Sequence, residues 1–502
     1  MSIIQSIAQL YFSYYLKEID VFVNNPSKVQ EKIFRYLLES GKQTLFGEQY
    51  GFDTIRNIDD FRQKVPLMRY EDLKPYVEQI IEGKNKNVLW NKPVRWFAMS
   101  SGTTKDKSKY IPVTEESLRD SHYKCGKQLL ALYLDAHPDS RFFYGKTMVL
   151  GGSKQINTLG DRLFTGDISA ILMKHLPFWA KKRRTPEEIA LIPDWETKFG
   201  KLVDYAIKTD IRAMMGVPSW MLVLIQKIVE QTGRPMHEIW PNIDVFFHGG
   251  VNFTPYEIQF NQLFEKTNLH YWETYNASEG FFGIQYKQNS RDMLLMLDNN
   301  IFYEFLPVSE IGSENPRTLL LDEVKTGENY ALIITTNGGL WRYMIGDMIE
   351  FTSTHPHLIR ITGRTTHYIN AFGEELIVEN ADNAIRKASE RTNSIFSEYT
   401  AAPIFFGKKG GGAHEWMIEF EKMPEDLEQF TNILDEELKA QNSDYEAKRS
   451  YNLSLKQPIV HALPKGTFYE WLKSRNKLGG QNKIPRLSND SVYIDSLRDF
   501  IQ

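Results

Sequence analysis

Residues 242–257 of this 502-residue chain read NIDVFFHGGVNFTPYE. The apolar run Val245-Phe246-Phe247 stops at Gly249-Gly250, and a short apolar run closed by turn residues reads as a buried strand. Glycines at a strand end let a flat group approach the backbone closely; an ordinary strand-ending turn accounts for them equally well. The runs KTMVLGG from Lys146, LHYWETYN from Leu269, IFYEFLPV from Ile301 and YALIITT from Tyr330 repeat the pattern. Longer helical patterns separate some of them, notably DIRAMMGVPSWMLVLIQKIVEQTG over 210–233. Strands alternating with helices predict an α/β fold with substantial sheet.

On either side of this centre the chain changes character. The first hundred residues read as mainly helical: PSKVQEKIFRYLLESG opens on Pro26-Ser27 and puts Ile33, Leu37 and Leu38 on one face before Gly41. Ahead of it, Ile3, Ile7, Leu10, Tyr11 and Tyr14 recur at helical spacing, which predicts an amphipathic helix folded onto the body. After residue 363, the order strand, helix, two strands, helix, strand predicts a compact βαββαβ-like α+β unit, ending on a short helix from Lys465. KKGGG, 408–412, is expected to be a mobile turn within it. The expected division is a large domain over 1–364 and a small one over 365–502.

Bulk properties narrow the function classes. Hydrophobic residues make up 42% and charged residues 25%, which suits a globular enzyme with a large core. A net charge of −4 gives no electrostatic case for nucleic acid or an anionic membrane as partner. No run approaches the apolar length of a membrane span, and the N-terminus lacks the basic leader of a signal peptide. The lone Cys125 excludes an internal disulfide and makes a cysteine-held metal or a cysteine nucleophile a weak reading. A cytoplasmic protein is expected.

Several polar constellations could carry chemistry. MSSGTTKDKSKYIPVT, Met99 to Thr114, gathers Ser100, Ser101, Gly102, Thr103, Thr104 and Lys109. Small residues let backbone N–H groups and hydroxyls converge on phosphate while lysines neutralise charge, yet the Walker spacing is absent and a solvated loop is an equal alternative. YWETYNASEGFFG, 271–283, brings Tyr275, Ser278 and Glu279 to a strand end, where one carboxylate could hold Mg²⁺ between phosphates. An exposed loop Glu would read the same. GGLWRYMIGDMIEF, 338–351, supplies Arg342 and Asp347 after a strand, and an acid there can accept from a ribose diol. A Gly-Asp turn is the bland alternative.

Taken in order, these segments resemble the adenylate-forming superfamily, and within it the auxin-responsive acyl-acid amido synthetases (the Gretchen Hagen 3 family). SSGTTKDKSKYIP is similar to that family's phosphate loop. GVPSW at 216–220, GGVNFTPY at 249–256, YNASEG at 275–280, FYEF at 302–305, GLWRYMIGD at 339–347 and GRTTHYINAFGEEL at 363–376 follow in family order. HEWMIEF at 414–420, NSDYEAKR at 442–449 and NKIPR at 482–486 continue it. The resemblance spans about 30 to 490 and identifies a member unlike the plant ones in its phosphate loop, where Lys105-Asp106 stand in place of a frequent glycine.

The resemblance implies a large multi-sheet α/β domain binding ATP and acyl acid, with a small mobile α+β domain behind it. It implies ATP and Mg²⁺ as cofactors, and a small carboxylic acid and an amine, usually an amino acid, as partners. The acid would be activated as an acyl adenylate with release of pyrophosphate, then passed to the amine with release of AMP. Rival readings are a thioester-forming ligase using coenzyme A and a nucleotide-binding protein without catalysis. By resemblance Ser100, Ser101, Gly102, Thr103 and Thr104 would embrace the triphosphate and Lys109 would stabilise it. Gly249 and Gly250 would flank adenine with Tyr275 stacked on it, Ser278 would meet the α-phosphate, and Glu279 would help bind Mg²⁺. Asp347, aided by Arg364, would grip the ribose, and Lys483 would reach in during adenylation. The acyl-acid pocket, by position, would draw on Arg119, His122, Tyr123, Ser219 and Trp220, although helix-surface or core roles fit each as well. Thr366 stands where many superfamily members carry an acid at the hinge, so it takes no specific role.

Overall fold

The computed structural model describes the chain except for residues 1–2, 84–86, 101–108, 151–155, 160–161, 177, 191, 193–194, 251–252, 255, 366–367, 370–373, 375, 406–411, 443–444, 447–448, 450–454, 476, 479–483, 489 and 502. Helices fill the first stretch: Ile3–Asn24, Pro26–Gly41, Leu45–Gln49, Ile58–Lys64 and Tyr70–Ile81. Pro26 at the first turn of the second helix costs no hydrogen bond there, and Ile33, Phe34, Leu37 and Leu38 form its buried face. The first helix is present, but the described part of its expected face is not the buried one; the Ile3 and Ile7 side chains lie outside the described residues. Phe12, Ile19 and Phe22 are buried, whereas Leu10, Tyr11 and Tyr14 are exposed. Apolar residues line more than one side of this helix, so spacing alone does not select the packed side.

Strands follow in the order β1 (Trp96–Ser100), β2 (Lys109–Val113), β3 (Lys146–Leu150), β4 (Asn157–Leu159), β5 (Leu163–Gly166), β6 (Ile211–Gly216), β7 (Val245–Gly249), β8 (His270–Ala277), β9 (Gly280–Gln285) and β10 (Met293–Leu295). The series continues with β11 (Ile301–Pro307), β12 (Asn329–Thr336), β13 (Tyr343–Thr354) and β14 (His357–Arg364). The last strands are β15 (Tyr368–Ile369), β16 (Leu376–Ile377), β17 (Ile395–Phe405), β18 (Gly412–Lys422) and β19 (Ile459–Leu463).

A ten-stranded sheet in the order β11-β12-β13-β14-β10-β9-β8-β7-β6-β3 dominates, and a four-stranded sheet β2-β1-β5-β4 stands apart from it. The large sheet is parallel through β3, β6, β7 and β8 and antiparallel beyond β8. Its parallel half carries apolar runs buried on both faces, with Met148, Met214 and Phe246 in one apolar cluster and Ala213, Phe247 and Trp272 in another. One such run corrects the reading of 210–233 as a single helical pattern. Residues Ile211–Gly216 are β6, and the helix begins only at Pro218. Val217 is extended, as a residue before proline prefers, so the proline marks the boundary.

Beyond β14 the expected βαββαβ order is present with one change. The helices Val378–Arg391 and Leu427–Gln441 flank a sheet β17-β18-β19, but the leading strand β16 pairs with β15 in a sheet of its own. The helix expected from Lys465 runs over Thr467–Ser474, and a further helix, Val492–Ile501, closes the chain. The KKGGG turn lies outside the described residues apart from Gly412, which opens β18.

Candidate functional site

Strands β6, β7 and β8 run parallel, so Gly216, Gly249 and Ala277 end on the same edge of the large sheet. Open α/β sheets take ligands at the carboxyl ends of such strands, where loops diverge. Gly249 is required there by its neighbour: a Cβ on it would stand 2.2 Å from the Thr274 carbonyl oxygen of β8. Gly250 has φ +85°, a left-handed value that suits glycine. Ser278 and Glu279 form the two-residue turn between β8 and β9, with Ala277 opposite Gly280, and both are half-buried.

Asp347 lies in β13, well separated from β8 in strand order, yet Tyr275 joins them. The Tyr275 hydroxyl donates to Asp347 Oδ2 at 2.6 Å, a short bond of the charge-assisted kind. The Tyr275 ring is buried and tilts against Phe282 with centroids 4.9 Å apart. Arg364 sits opposite Asp347 in the β13–β14 ladder; its side chain lies outside the described residues. Arg342, the other residue of that motif, is structural. Its guanidinium is buried on Glu304 and on the carbonyl oxygens of Arg62 and Val65.

Lys109 opens β2 directly opposite Ser100 at the end of β1. Its ammonium lies 5.7 Å from the centroid of the Tyr70 ring, within reach of a cation–π attraction. Ser101, Gly102, Thr103 and Thr104, and Lys105-Asp106 with them, lie outside the described residues, as do the Ser100 side chain, Thr366 and Lys483.

The segment after β2 winds differently from an α-helix. Residues Leu118–Tyr123 form a π-helical turn before the α-helix Lys124–Ala136, and such turns recur at functional sites. Ser121 Oγ accepts from the Phe281 amide at 3.1 Å, and His122 Nδ1 lies 3.2 Å from Asn276 Oδ1. The turn is thereby pinned to the β8–β9 hairpin that carries Ser278 and Glu279. Burial pushes the His122 imidazole down to about 4, so the ring is neutral at pH 7. Tyr123 donates to the Leu172 carbonyl at 2.8 Å, and burial pushes its phenol up to about 12.

The residues expected to line the acyl-acid pocket do not share one environment. Arg119 is largely exposed and paired with Asp120 at 2.6 Å. Trp220 is buried in a different core, with its ring 6.3 Å from that of Tyr469. The Ser219 side chain lies outside the described residues. Arg119 thus takes the helix-surface role that its position equally allowed. Ser121 and Asn276 were not singled out from the sequence; the signal for Asn276 was its place between Tyr275 and Ser278. Cys125 is fully buried and burial raises its thiol well above the usual range, which removes it as a nucleophile.

The chain matches the GH3 family N-terminal domain over residues 15–269, the central domain over 294–364 and the C-terminal domain over 379–492. The chain belongs to the GH3 family. Among GH3 relatives, the jasmonoyl–L-amino acid synthetase JAR4 of Nicotiana attenuata is 23% identical over 94% of this chain and 92% of its own length. The indole-3-acetic acid-amido synthetase GH3.3 of Arabidopsis thaliana is also 23% identical, over 94% of this chain and 91% of its own. Of solved structures, the GH3.15 acyl acid amido synthetase superposes with a TM-score of 0.78 at 17% identity, covering 96% of this chain and 95% of that one. A 2-hydroxyisobutyryl-CoA ligase in its postadenylation state follows at a TM-score of 0.60 and 11% identity, over 94% and 91% of the two chains. These structures establish the GH3-type α/β fold with its C-terminal domain.

Proposed function

We propose that this GH3 protein is an ATP-dependent, AMP-forming acid–amine ligase, with an amino acid as the amine. The observation that carries the reading is the meeting of Tyr275 and Asp347 beside the Gly249-Gly250 strand end and the Ser278-Glu279 turn. A carboxylate oxygen of the acid attacks the α-phosphorus of ATP; that P–O bond forms as the bond to the departing pyrophosphate breaks. The amine nitrogen then attacks the acyl carbon, the carbon–oxygen bond to AMP breaks, and the amine proton passes to solvent. AMP leaves readily from the mixed anhydride, whereas attack on a free carboxylate would have to expel oxide or hydroxide, which is why activation must come first.

In this reading Asp347 holds the ribose hydroxyls, since a carboxylate has about four acceptor positions and keeps capacity after the Tyr275 bond. Gly249 and Gly250 flank the adenine, with Tyr275 beside it. The residues of the 100–104 loop, with Lys109 at its base, bind the phosphates, and Lys483 supplies positive charge to the adenylation transition state. Glu279 fits a magnesium ion, which takes few protein carboxylates and completes its shell with phosphate oxygens and water. His122 and Tyr123 would lie on the acid's side of the site, with the neutral His122 ring too weakly basic to take up a proton at pH 7. The division into 1–364 and a mobile 365–502 belongs to the same proposal, as does a cytoplasmic setting.

The test is direct. The protein is incubated with ATP, Mg²⁺ and a panel of carboxylic acids, with hydroxylamine as acceptor, and pyrophosphate and hydroxamate are measured. Acid-dependent release of both is expected, and replacing hydroxylamine by amino acids or coenzyme A identifies the natural acceptor class. Pyrophosphate release that no acid stimulates would overturn the reading.

A further inference from the structure

Residues 183–185 run beside β3, the edge strand of the large sheet. The Thr147 amide donates to the Arg183 carbonyl at 2.7 Å and the Thr185 amide to the Thr147 carbonyl at 3.0 Å, which sets Arg184 against Thr147. Thr185 Oγ1 accepts from the Val149 amide at 2.8 Å and fixes the next step of this register. The two arginines then part ways. The Arg183 guanidinium bonds the Phe143 carbonyl and lies 5.8 Å from the centroid of the Phe143 ring. The Arg184 guanidinium instead comes within electrostatic range of the Tyr123 phenol.

Arg184 is half-buried, and burial pulls its guanidinium below the usual arginine range. Tyr123 is protonated at pH 7, so it supplies no counter-charge. Among the described residues no carboxylate pairs with Arg184 and no acceptor bonds its guanidinium. The arginines that the fold buries elsewhere are paired: Arg342 with Glu304 at 2.9 Å, Arg449 with Asp435 at 2.6 Å and Arg486 with Asp382. A desolvated cation without a counter-charge costs stability, which fits a partner that arrives from outside the chain. Its place says which partner. β3 and β6 end together at Leu150 and Gly216, on the edge where β7 and β8 also end. Thr147 stands three residues short of that end, about 10 Å back along the strand. Tyr123 follows His122, whose contact with Asn276 ties the turn to the β8–β9 hairpin at the edge. Arg184 therefore lies back from the edge, beside the ring that the ligase reading gives to the acid.

We propose that Arg184 selects the acid, its guanidinium binding a second carboxylate at the end of the acyl acid remote from the carboxyl that is activated. The proposal rests on the ligase reading above and names its substrate class, a dicarboxylic acid. Tyr123 and Leu172 pack against the main apolar cluster, so the body between the two carboxylates is apolar. A planar guanidinium takes a carboxylate in two parallel hydrogen bonds, a grip that an ammonium does not reproduce.

The test is acid-dependent exchange of pyrophosphate into ATP on matched acids, suberate against octanoate and terephthalate against benzoate. The wild-type protein should favour the diacid of at least one pair by about 10-fold or more in kcat/KM. In Arg184→Gln that preference should fall by about 10- to 100-fold, mainly through KM, because the contact is made equally in ground state and transition state. Arg184→Lys should recover part of it. Urea titration reads folding separately: loss of an uncompensated charge should leave the Arg184→Gln midpoint at or above the wild-type value. A wild type that prefers neither diacid, a preference that survives in Arg184→Gln, or a lowered midpoint in that variant each overturns the proposal. So does a loss confined to amide formation from supplied acyl adenylate, which assigns the guanidinium to the carboxylate of the amino acid. Wild-type protein that shows no exchange with any acid overturns the ligase reading itself, an outcome distinct from exchange with the monoacids alone.

Discussion

The short bond from Tyr275 to Asp347 separates two jobs that the sequence assigned by position alone. In the proposed binding mode Asp347→Asn keeps the shape and removes the charge, so the ribose would lose charge-assisted acceptors. Its KM for ATP should rise by about 10- to 100-fold in initial-rate assays, since a hydrogen bond to a charged group contributes about 1.5–3 kcal/mol. Tyr275→Phe keeps the ring on Phe282 and should raise the same constant by less than Asp347→Asn does. His122 makes a second, pH-dependent prediction. Its folded pKa lies at about 4 against an ordinary 6.5, so the unfolded chain takes up a proton first as pH falls. Stability from this group is fully present above about pH 6.5 and is lost as pH falls toward 4, with a full magnitude of about 3 kcal/mol. His248, pushed down to about 3 by burial, acts with the same sign. His122→Gln should therefore flatten, without abolishing, the drop in urea midpoint between pH 7.5 and pH 5. At this scale the sequence singled out Tyr275 and Asp347 in separate motifs, and the bond that joins them spans strands it could not pair. Arg342 shows the converse: a residue in a chemical-looking motif whose partners, Glu304 and two remote carbonyls, could not be foreseen from spacing.

Elements were legible where one local signal dominated. The strands β3, β7, β8, β11 and β12 announced themselves as bounded apolar runs, and the βα order after β14 could be read off in sequence. Ile211–Gly216 was hidden because its apolar residues run on into the helix from Pro218, and periodicity cannot divide two buried elements of different type. The packed face of the first helix was hidden because the residues that choose it belong to the helix Lys124–Ala136 and its neighbours, far along the chain. That face is testable. Phe22→Ala should lower stability by about 3–5 kcal/mol, whereas Leu10→Ser and Tyr14→Ser should stay within about 0.5 kcal/mol in urea titrations. The glycine pair gives an element-scale prediction as well. Gly249→Ala must push β7 away from the Thr274 carbonyl of β8, costing about 1–3 kcal/mol in the same titrations. If Gly249 served only to admit a ligand, the variant would lose nucleotide binding at unchanged stability.

At the scale of the whole molecule, the C-terminal elements do not sit apart from the large sheet. A single buried cluster runs from Met221, Phe246 and Phe260 to Met417, Phe468 and Ile494. Any movement of the C-terminal unit between half-reactions must repack this shared apolar surface, which favours discrete arrangements over free swinging. In the proposed reaction Lys483 bears on the first half-reaction alone, since its charge is needed only while the α-phosphorus is attacked. Lys483→Ala should slow acid-dependent exchange of pyrophosphate into ATP and leave amide formation from supplied acyl adenylate at the wild-type rate. Equal loss in both half-reactions would show that the two steps are not divided in this way.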